Sequence, residues 1–129
     1  MLSSGQTAAT MAVSDIDRAR KFYAETLGFS VMRESPGGIL FQSGKDTVFF
    51  VYPSGFAGTN KATAMSINVG DFDATIADLR DRGVSFMDYD NPEFKTEDGV
   101  AKTPEGPAAW FADPDGNVIA VTQMETSQG

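Results

Sequence analysis

The sequence contains no cysteine and no histidine among its 129 residues. The absence of cysteine excludes disulfide bonds, thiolate nucleophiles and thiolate metal sites. The absence of histidine removes the commonest metal ligand and the side chain that most often acts as a base near neutral pH. Metal binding and acid–base catalysis therefore lack their usual residues in this chain.

Basic residues and long apolar runs are also scarce. The chain has 10 Lys and Arg against 18 Asp and Glu, a net charge of -8, so it lacks the clustered basic residues that bind nucleic acid phosphates. No apolar run approaches the roughly 20 residues that span a bilayer, and the N-terminus does not resemble a secretion signal. We expect a soluble, cytoplasmic protein that binds neither nucleic acid nor membranes. Its acidity either only maintains solubility or also attracts cationic ligands.

The length and the 41% of apolar residues are typical of one domain, residues 1–129, with a real core. Its two parts, residues 7–53 and 62–124, repeat one pattern, and residues 54–61 link them. The matched positions are Val13 and Val69, Asp15 and Asp71, Asp17 and Asp73, Gly28 and Gly83, and Met32 and Met87.

Each repeat has the pattern of a strand, a helix and three further strands. Asp15 and Asp71 stand at helix N-cap positions, and Gly28 and Gly83 stand where helices end. FSVM after the first helix and VSFM after the second are both predicted as strands, and residues 88–107 as a long loop. The sequence therefore predicts an α+β fold of two βαβββ modules.

Two motifs resemble those of a known family. They are VSDIDRARKFYAETLGF near the start and FADPDGN near the end. Together they are similar to the vicinal oxygen chelate superfamily, which includes glyoxalase I, extradiol dioxygenases and bleomycin-resistance proteins, and the resemblance runs from about Thr7 to Gln123. It is closest to a subgroup called glyoxalase-like. The resemblance implies that each module forms a half-barrel sheet and that the sheets surround a cleft.

The resemblance also implies where metal ligands would lie. In metal-using members they come from four strands, at positions that correspond here to Ala8, Phe50, Ala64 and Ala120, with Phe49 as the alternative to Phe50. None of these side chains offers a donor atom to a divalent cation. The resemblance therefore implies a metal-free member with no cofactor.

The cleft itself is predicted from strand alternation, which turns every second side chain to one face. Small and neutral polar residues then face inward, flanked by aromatic rings, an arrangement that suits a flat, mostly apolar ligand. The predicted ligand-binding residues are Thr10, Ala12, Phe41, Phe50, Tyr52, Ser66, Asn68, Tyr89, Phe94, Trp110, Ala120 and Thr122.

The sequence leaves two features of this cleft undecided. A shift of one residue across the DPDG turn exchanges Trp110 and Phe111 between the two faces of their strand, and we favour Trp110 as the inward residue. The segment 88–107, with Tyr89 and Phe94, either covers the mouth of the cleft or is a variable surface excursion.

The favoured function is that of a homodimeric, metal-independent binding protein. As in the metal-free bleomycin-resistance type, it would sequester a hydrophobic or aromatic, antibiotic-like molecule, either neutral or cationic. The alternative is a metal-free enzyme, lyase-like or isomerase-like, that uses a tyrosine or a loop carboxylate such as Glu93 or Glu97. No residue is predicted to be catalytic, because nothing in the sequence pairs a base with a nucleophile. A third interpretation is a scaffold or regulatory partner whose cleft has decayed.

Overall fold

The computed structural model describes residues 1–92 and 95–124, which form two modules of identical topology. A short 3-10 turn (Leu2–Ser4) precedes them. The first module contains β1 (Ala9–Val13), α1 (Ile16–Arg20), β2 (Ser30–Ser35), β3 (Gly38–Ser43) and β4 (Thr47–Pro53). The second contains β5 (Thr63–Asn68), α2 (Phe72–Asp81), β6 (Val100–Thr103), β7 (Gly106–Ala112) and β8 (Val118–Thr122). The predicted α+β fold of two βαβββ modules is confirmed.

The two four-stranded sheets have equivalent strand orders, β1-β4-β3-β2 and β5-β8-β7-β6. In each, the first strand of the module pairs in parallel with the last, and the remaining pairs are antiparallel. The first strand is therefore an edge strand in both sheets.

The helices begin and end at the predicted residues. The Asp15 carboxylate accepts hydrogen bonds from the backbone N–H groups of Asp17 and Arg18, at 3.0 and 3.1 Å, and Asp71 caps α2 by accepting from Ala74 N–H at 3.1 Å. These bonds satisfy amides that have no partner inside the helix. Gly28 and Gly83 follow the helical segments with φ of 84° and 90°, a conformation that glycine adopts without steric cost.

Helix α1 continues as a π-helical segment (Lys21–Thr26), closed by a hydrogen bond from Leu27 N–H to the Phe22 carbonyl at 2.9 Å. The wider turn changes the angular spacing of the side chains. The neighbouring residues Phe22 and Tyr23 consequently both pack into the core, with ring centroids 5.3 Å apart.

The segment between α2 and β7 differs from its prediction. VSFM (84–87) is not a strand: Met87 N–H donates one hydrogen bond to the Trp110 carbonyl, and the chain then leaves the sheet. The Asp88 carboxylate holds the chain in this path, accepting hydrogen bonds from Thr96 Oγ1 and Gly99 N–H, both at 2.8 Å. The predicted loop 88–107 is also wrong in part, since it contains β6, the outer strand of the second sheet.

One hydrophobic core unites the modules. It contains both helical regions together with the helix-facing sides of both sheets. The ring of Phe22, from the first module, lies 6.5 Å from that of Phe111, from the second, and Arg82 Nη1 donates to the Thr26 carbonyl at 3.3 Å. The helices thus form a layer between the two sheets, so the opposite face of each sheet points outward. Across the described part of the chain, no helix has the length and apolarity needed to cross a bilayer.

Candidate functional site

The candidate site consists of the two sheet faces that carry no helix. Strand alternation separates them from the core: Met11 and Val51 point to the helices, whereas Thr10 and Phe50 point outward. We call the outward side of the first sheet the first face and that of the second sheet the second face. The first face includes Thr10, Ala12, Phe50 and Tyr52; the second includes Ser66, Asn68, Trp110, Ala120 and Thr122.

The first face presents two aromatic rings beside short side chains. Thr10 lies next to Phe50, and Ala12 next to Tyr52, across the parallel β1–β4 pair. The rings of Phe50 and Tyr52 are nearly parallel, with an angle of 8° and centroids 6.1 Å apart, and both are half-buried. Because the neighbours on β1 are short, the rings keep exposed surface that a flat apolar group can cover.

The second face is lined by smaller, neutral groups. Ser66 lies next to Ala120, and Asn68 next to Thr122, across the β5–β8 pair. Thr122 Oγ1 donates to Asn68 Oδ1 at 3.2 Å, and the same oxygen accepts from Met124 N–H at 2.8 Å. These contacts fix the amide of Asn68 at the edge of the sheet, where a ligand can reach its polar atoms.

Trp110 and Phe111 point to opposite faces of β7. Phe111 is 1% exposed and packs in the core, with its ring 5.9 Å from that of Phe86. Trp110 is half-buried on the second face, across from Ala120. Tyr89, from the segment after α2, meets the indole edge-on, with centroids 5.5 Å apart and an angle of 82°. The long segment therefore supplies one aromatic ring to the second face.

Of the predicted site residues, Phe41 lies away from the site and Phe94 is not described. Phe41 is 0% exposed and lies on the helix side of β3, where its ring stacks on that of Phe49 at 5.3 Å. The prediction that Phe41 lines the cleft is wrong, because alternation on β3 points Phe41 inward together with Ile39. Phe94 lies outside the described residues, as does Glu93.

The helix layer separates the two faces within one chain, so Phe50 and Tyr52 do not meet Trp110. The edges of the sheets approach each other at β1 and β5, where a groove of about 690 Å³ opens. Ala8 lines this groove together with Ser66 and Asn68. One copy of the chain therefore offers two outward faces and a groove between their edges. On the second face Ala120 and Thr122 are themselves buried, at 3% and 5% exposure.

The positions that correspond to the family's metal ligands do not fit a metal ion. Ala8, Phe50, Ala64 and Ala120 carry no donor atoms, and a divalent cation needs several converging N, O or S donors. Within residues 1–92 and 95–124, no group of three or more Asp or Glu side chains is close enough to hold one.

A polar seam below the faces, formed by Tyr23, Asp113 and Asn117, fixes how the modules dock, and the sequence did not predict it. Asp113, at the start of the DPDGN turn, accepts from the Tyr23 hydroxyl of the first module at 2.8 Å. Asn117 Nδ2 donates to the Ala12 carbonyl at 2.7 Å. Burial, together with the nearby carboxylate of Asp113, raises the pKa of the Tyr23 phenol well above its ordinary value. The turn thus ties the strand carrying Ala120 to the strand carrying Ala12.

A second carboxylate of the same turn strengthens the seam. Asp115 accepts from the Ser14 hydroxyl at 2.6 Å and from Arg18 Nη2 at 3.2 Å. The sequence predicts a turn at these residues, and the structure shows that the turn also holds the loop after β1 in place.

Solved structures of other proteins share this fold. TnmS3, an antibiotic binding protein from Streptomyces sp. CB03234, is 29% identical, with 95% of this chain and 98% of that chain covered and a TM-score of 0.67. A glyoxalase/bleomycin resistance protein from Streptomyces sp. CB03234 is 30% identical, with coverages of 91% and 100% and a TM-score of 0.63. The bleomycin resistance determinant encoded on transposon Tn5 shares the fold at 20% identity, with coverages of 95% and 100% and a TM-score of 0.72.

Comparison at the level of sequence agrees with these structural similarities. A search of curated protein sequences finds no match. The family profile described as Glyoxalase/Bleomycin resistance protein/Dioxygenase superfamily matches residues 5–121, nearly the whole chain. The chain belongs to the glyoxalase/bleomycin resistance protein/dioxygenase superfamily.

Proposed function

We propose that the protein binds and sequesters a flat, mostly apolar molecule of the antibiotic type, without a metal ion. The observation that carries this proposal is the pair of outward faces, where Phe50, Tyr52 and Trp110 stand beside short side chains such as Ala12 and Ala120. Aromatic walls with a few neutral polar groups are typical of sites for planar organic ligands.

The relatives support this class of function. TnmS3 is an antibiotic binding protein and covers nearly the same length as this chain. Fold alone does not determine function, because one fold carries many chemistries. The absence of donor atoms at Ala8, Phe50, Ala64 and Ala120 supports binding over the metal-dependent reactions of the superfamily.

We also propose that the working unit is a homodimer. A ligand on one face alone keeps much of its surface in water, whereas small-molecule sites bury most of the ligand. A second copy related by a two-fold axis can set the partner subunit's Trp110 opposite Phe50 and Tyr52. The symmetry of such a dimer creates two equivalent clefts.

The net charge of -8 bears on which ligands are favoured. A negative surface raises the local concentration of cations and speeds their association. We therefore propose that cationic members of the ligand class bind faster than neutral ones of similar shape, and that added salt removes this difference.

Thermal denaturation with a panel of ligands tests the proposal. The panel contains bleomycin, other natural-product antibiotics and neutral planar aromatic molecules. A true ligand raises the melting temperature in a saturable way, because it binds only the folded state. Mass spectrometry of the ligand after incubation separates sequestration from turnover, since a sequestered ligand is recovered unchanged. A panel without any saturable shift would contradict the proposal.

A further inference from the structure

A small cavity lies on the helix side of the second sheet, between the modules. Its volume is about 170 Å³. The first module contributes Leu27 and Phe29, and the second contributes residues of β5, α2, β7 and β8, among them Thr75 and Leu79, together with Val69, which directly follows β5. The cavity is separated from the second face by the backbone of β5, because Ile67 and Val69 alternate with Ser66 and Asn68 along that strand.

The lining of this cavity is apolar. Among the described residues that line it, Thr75 is the one polar residue, and the Thr75 hydroxyl donates to the Asp71 carbonyl at 2.8 Å. None of these described lining residues carries a charge. A molecule with polar groups would lose hydrogen bonds to water on entering and gain little in return, whereas an apolar molecule gains contacts with two phenylalanine rings and several aliphatic side chains.

The volume of the cavity and its opening to solvent further limit which molecules can bind. An enclosed cavity of about 150 Å³ lined by Leu, Ile and Phe holds benzene or xenon; the cavity here has a similar volume and lining but is open to solvent on one side. Leu79, Phe111 and Val121 are buried, but the remaining lining residues are only half-buried. The cavity therefore reaches solvent, and a small molecule can enter without separating the modules.

We propose that this cavity is a second binding site, for an apolar molecule about the size of one aromatic ring. It is separate from the two faces assigned to the larger ligand, because it lies within the helix layer, and it shares only Ile67 and Val69 with the described lining of the groove between β1 and β5. An occupant would contact both modules and the inner side of β5, the strand that carries Ser66 and Asn68 on its outer side.

The test uses benzene as the probe and NMR spectroscopy of the isotope-labelled full chain. We expect saturable changes in the chemical shifts of the protein, and nuclear Overhauser contacts from benzene to the methyl groups of Val69 and Leu79. Thr75→Met fills the cavity from α2 and should weaken benzene binding at least tenfold, about 1.4 kcal/mol. Ala77→Met is the matched control, because Ala77 is exposed on the same helix and does not line the cavity.

Val69→Leu provides a second filling variant should Thr75→Met fail to fold. Contacts from benzene to Trp110 or Phe50 in place of Val69, or unchanged affinity in both filling variants, would overturn the proposal, as would the absence of saturable binding. The result is separate from that for the larger ligand, because Trp110→Ala should leave benzene binding unchanged.

Discussion

The Tyr23 hydroxyl donates a 2.8 Å hydrogen bond to Oδ2 of Asp113, across 90 positions of the chain. Both residues are buried, and they join the π-helical segment of the first module to the turn before β8 in the second. The same carboxylate accepts from Asn117 Nδ2 and from the backbone N–H groups of Asp115 and Asn117. One side chain thus shapes the turn and docks the modules.

Asp113→Asn should lower the free energy of unfolding by about 2–4 kcal/mol, since it leaves buried donors facing an amide that can accept at only one oxygen. Urea denaturation followed by fluorescence measures the change. Asp73→Asn is the control: Asp73 is exposed in the first turn of α2, and its replacement should cost less than about 0.5 kcal/mol. Equal losses in both variants would contradict the role of Asp113.

The raised pKa of Tyr23 predicts a loss of stability in alkali. In the unfolded chain this phenol ionises near its usual pKa of about 10, but in the folded protein burial and Asp113 keep it protonated. Stability is therefore fully present below pH 10 and falls above it, by up to about 1.4 kcal/mol per pH unit from this group.

Tyr23→Phe removes this contribution. Above pH 10, its unfolding free energy should fall less steeply than that of the wild type by up to that amount per unit. At pH 7 the variant should be less stable by about 1–3 kcal/mol, because Asp113 loses one donor. Parallel slopes for the two proteins between pH 9 and pH 11 would refute the assignment.

Gly58 is predicted to tolerate no side chain. Its φ is +73°, and a Cβ there would clash with the carbonyl oxygen of Asp115, in the DPDGN turn of the second module. Gly58→Ala should therefore cost about 2–4 kcal/mol of unfolding free energy. Gly55→Ala, in the same linker, meets no described atom within 4 Å and should change stability by less than about 0.5 kcal/mol. Thermal denaturation of the two variants checks the difference.

Local signals in the sequence were sufficient for the fold. Asp15, Asp71, Gly28 and Gly83 mark helix ends through bonds and angles within a few residues, and the repeat showed that the pattern occurs twice. Such signals do not depend on distant contacts, which explains why they predict the architecture.

The features that the sequence predicted wrongly or did not predict depend on long-range contacts. Phe41 looks like any other aromatic residue until the pairing of β3 with β4 fixes the face it occupies. VSFM has a strand-like composition, but the bonds from Thr96 and Gly99 to Asp88 draw the chain away. Asp113 explains the turn by itself, so nothing local reveals its bond to Tyr23. The sequence equally could not show that the helix layer separates the two faces.

Removal of metal should not affect stability or ligand binding. Protein treated with EDTA and passed through desalting should keep its melting temperature within about 1 °C and its full response to ligand, because the superfamily's metal positions hold alanine and phenylalanine. Elemental analysis of protein purified without chelator provides the check. A stoichiometric divalent metal, lost together with ligand binding, would contradict the proposed mechanism.

The proposed cleft predicts that Phe50 and Trp110 act on the same ligand although they lie on opposite sides of one chain. Phe50→Ala and Trp110→Ala should each weaken binding by roughly tenfold to a hundredfold, since each removes an aromatic wall.

Met32→Ala is the control, because Met32 is exposed on the outer edge strand β2. Isothermal titration calorimetry measures the affinities, and light scattering after gel filtration measures the oligomeric state. In an equimolar mixture of the two variants, random subunit exchange should produce heterodimers with one intact cleft and one that lacks both rings, and about a quarter of all clefts should then regain wild-type affinity. Full binding by a monomer, or no recovery in the mixture, would contradict the shared cleft.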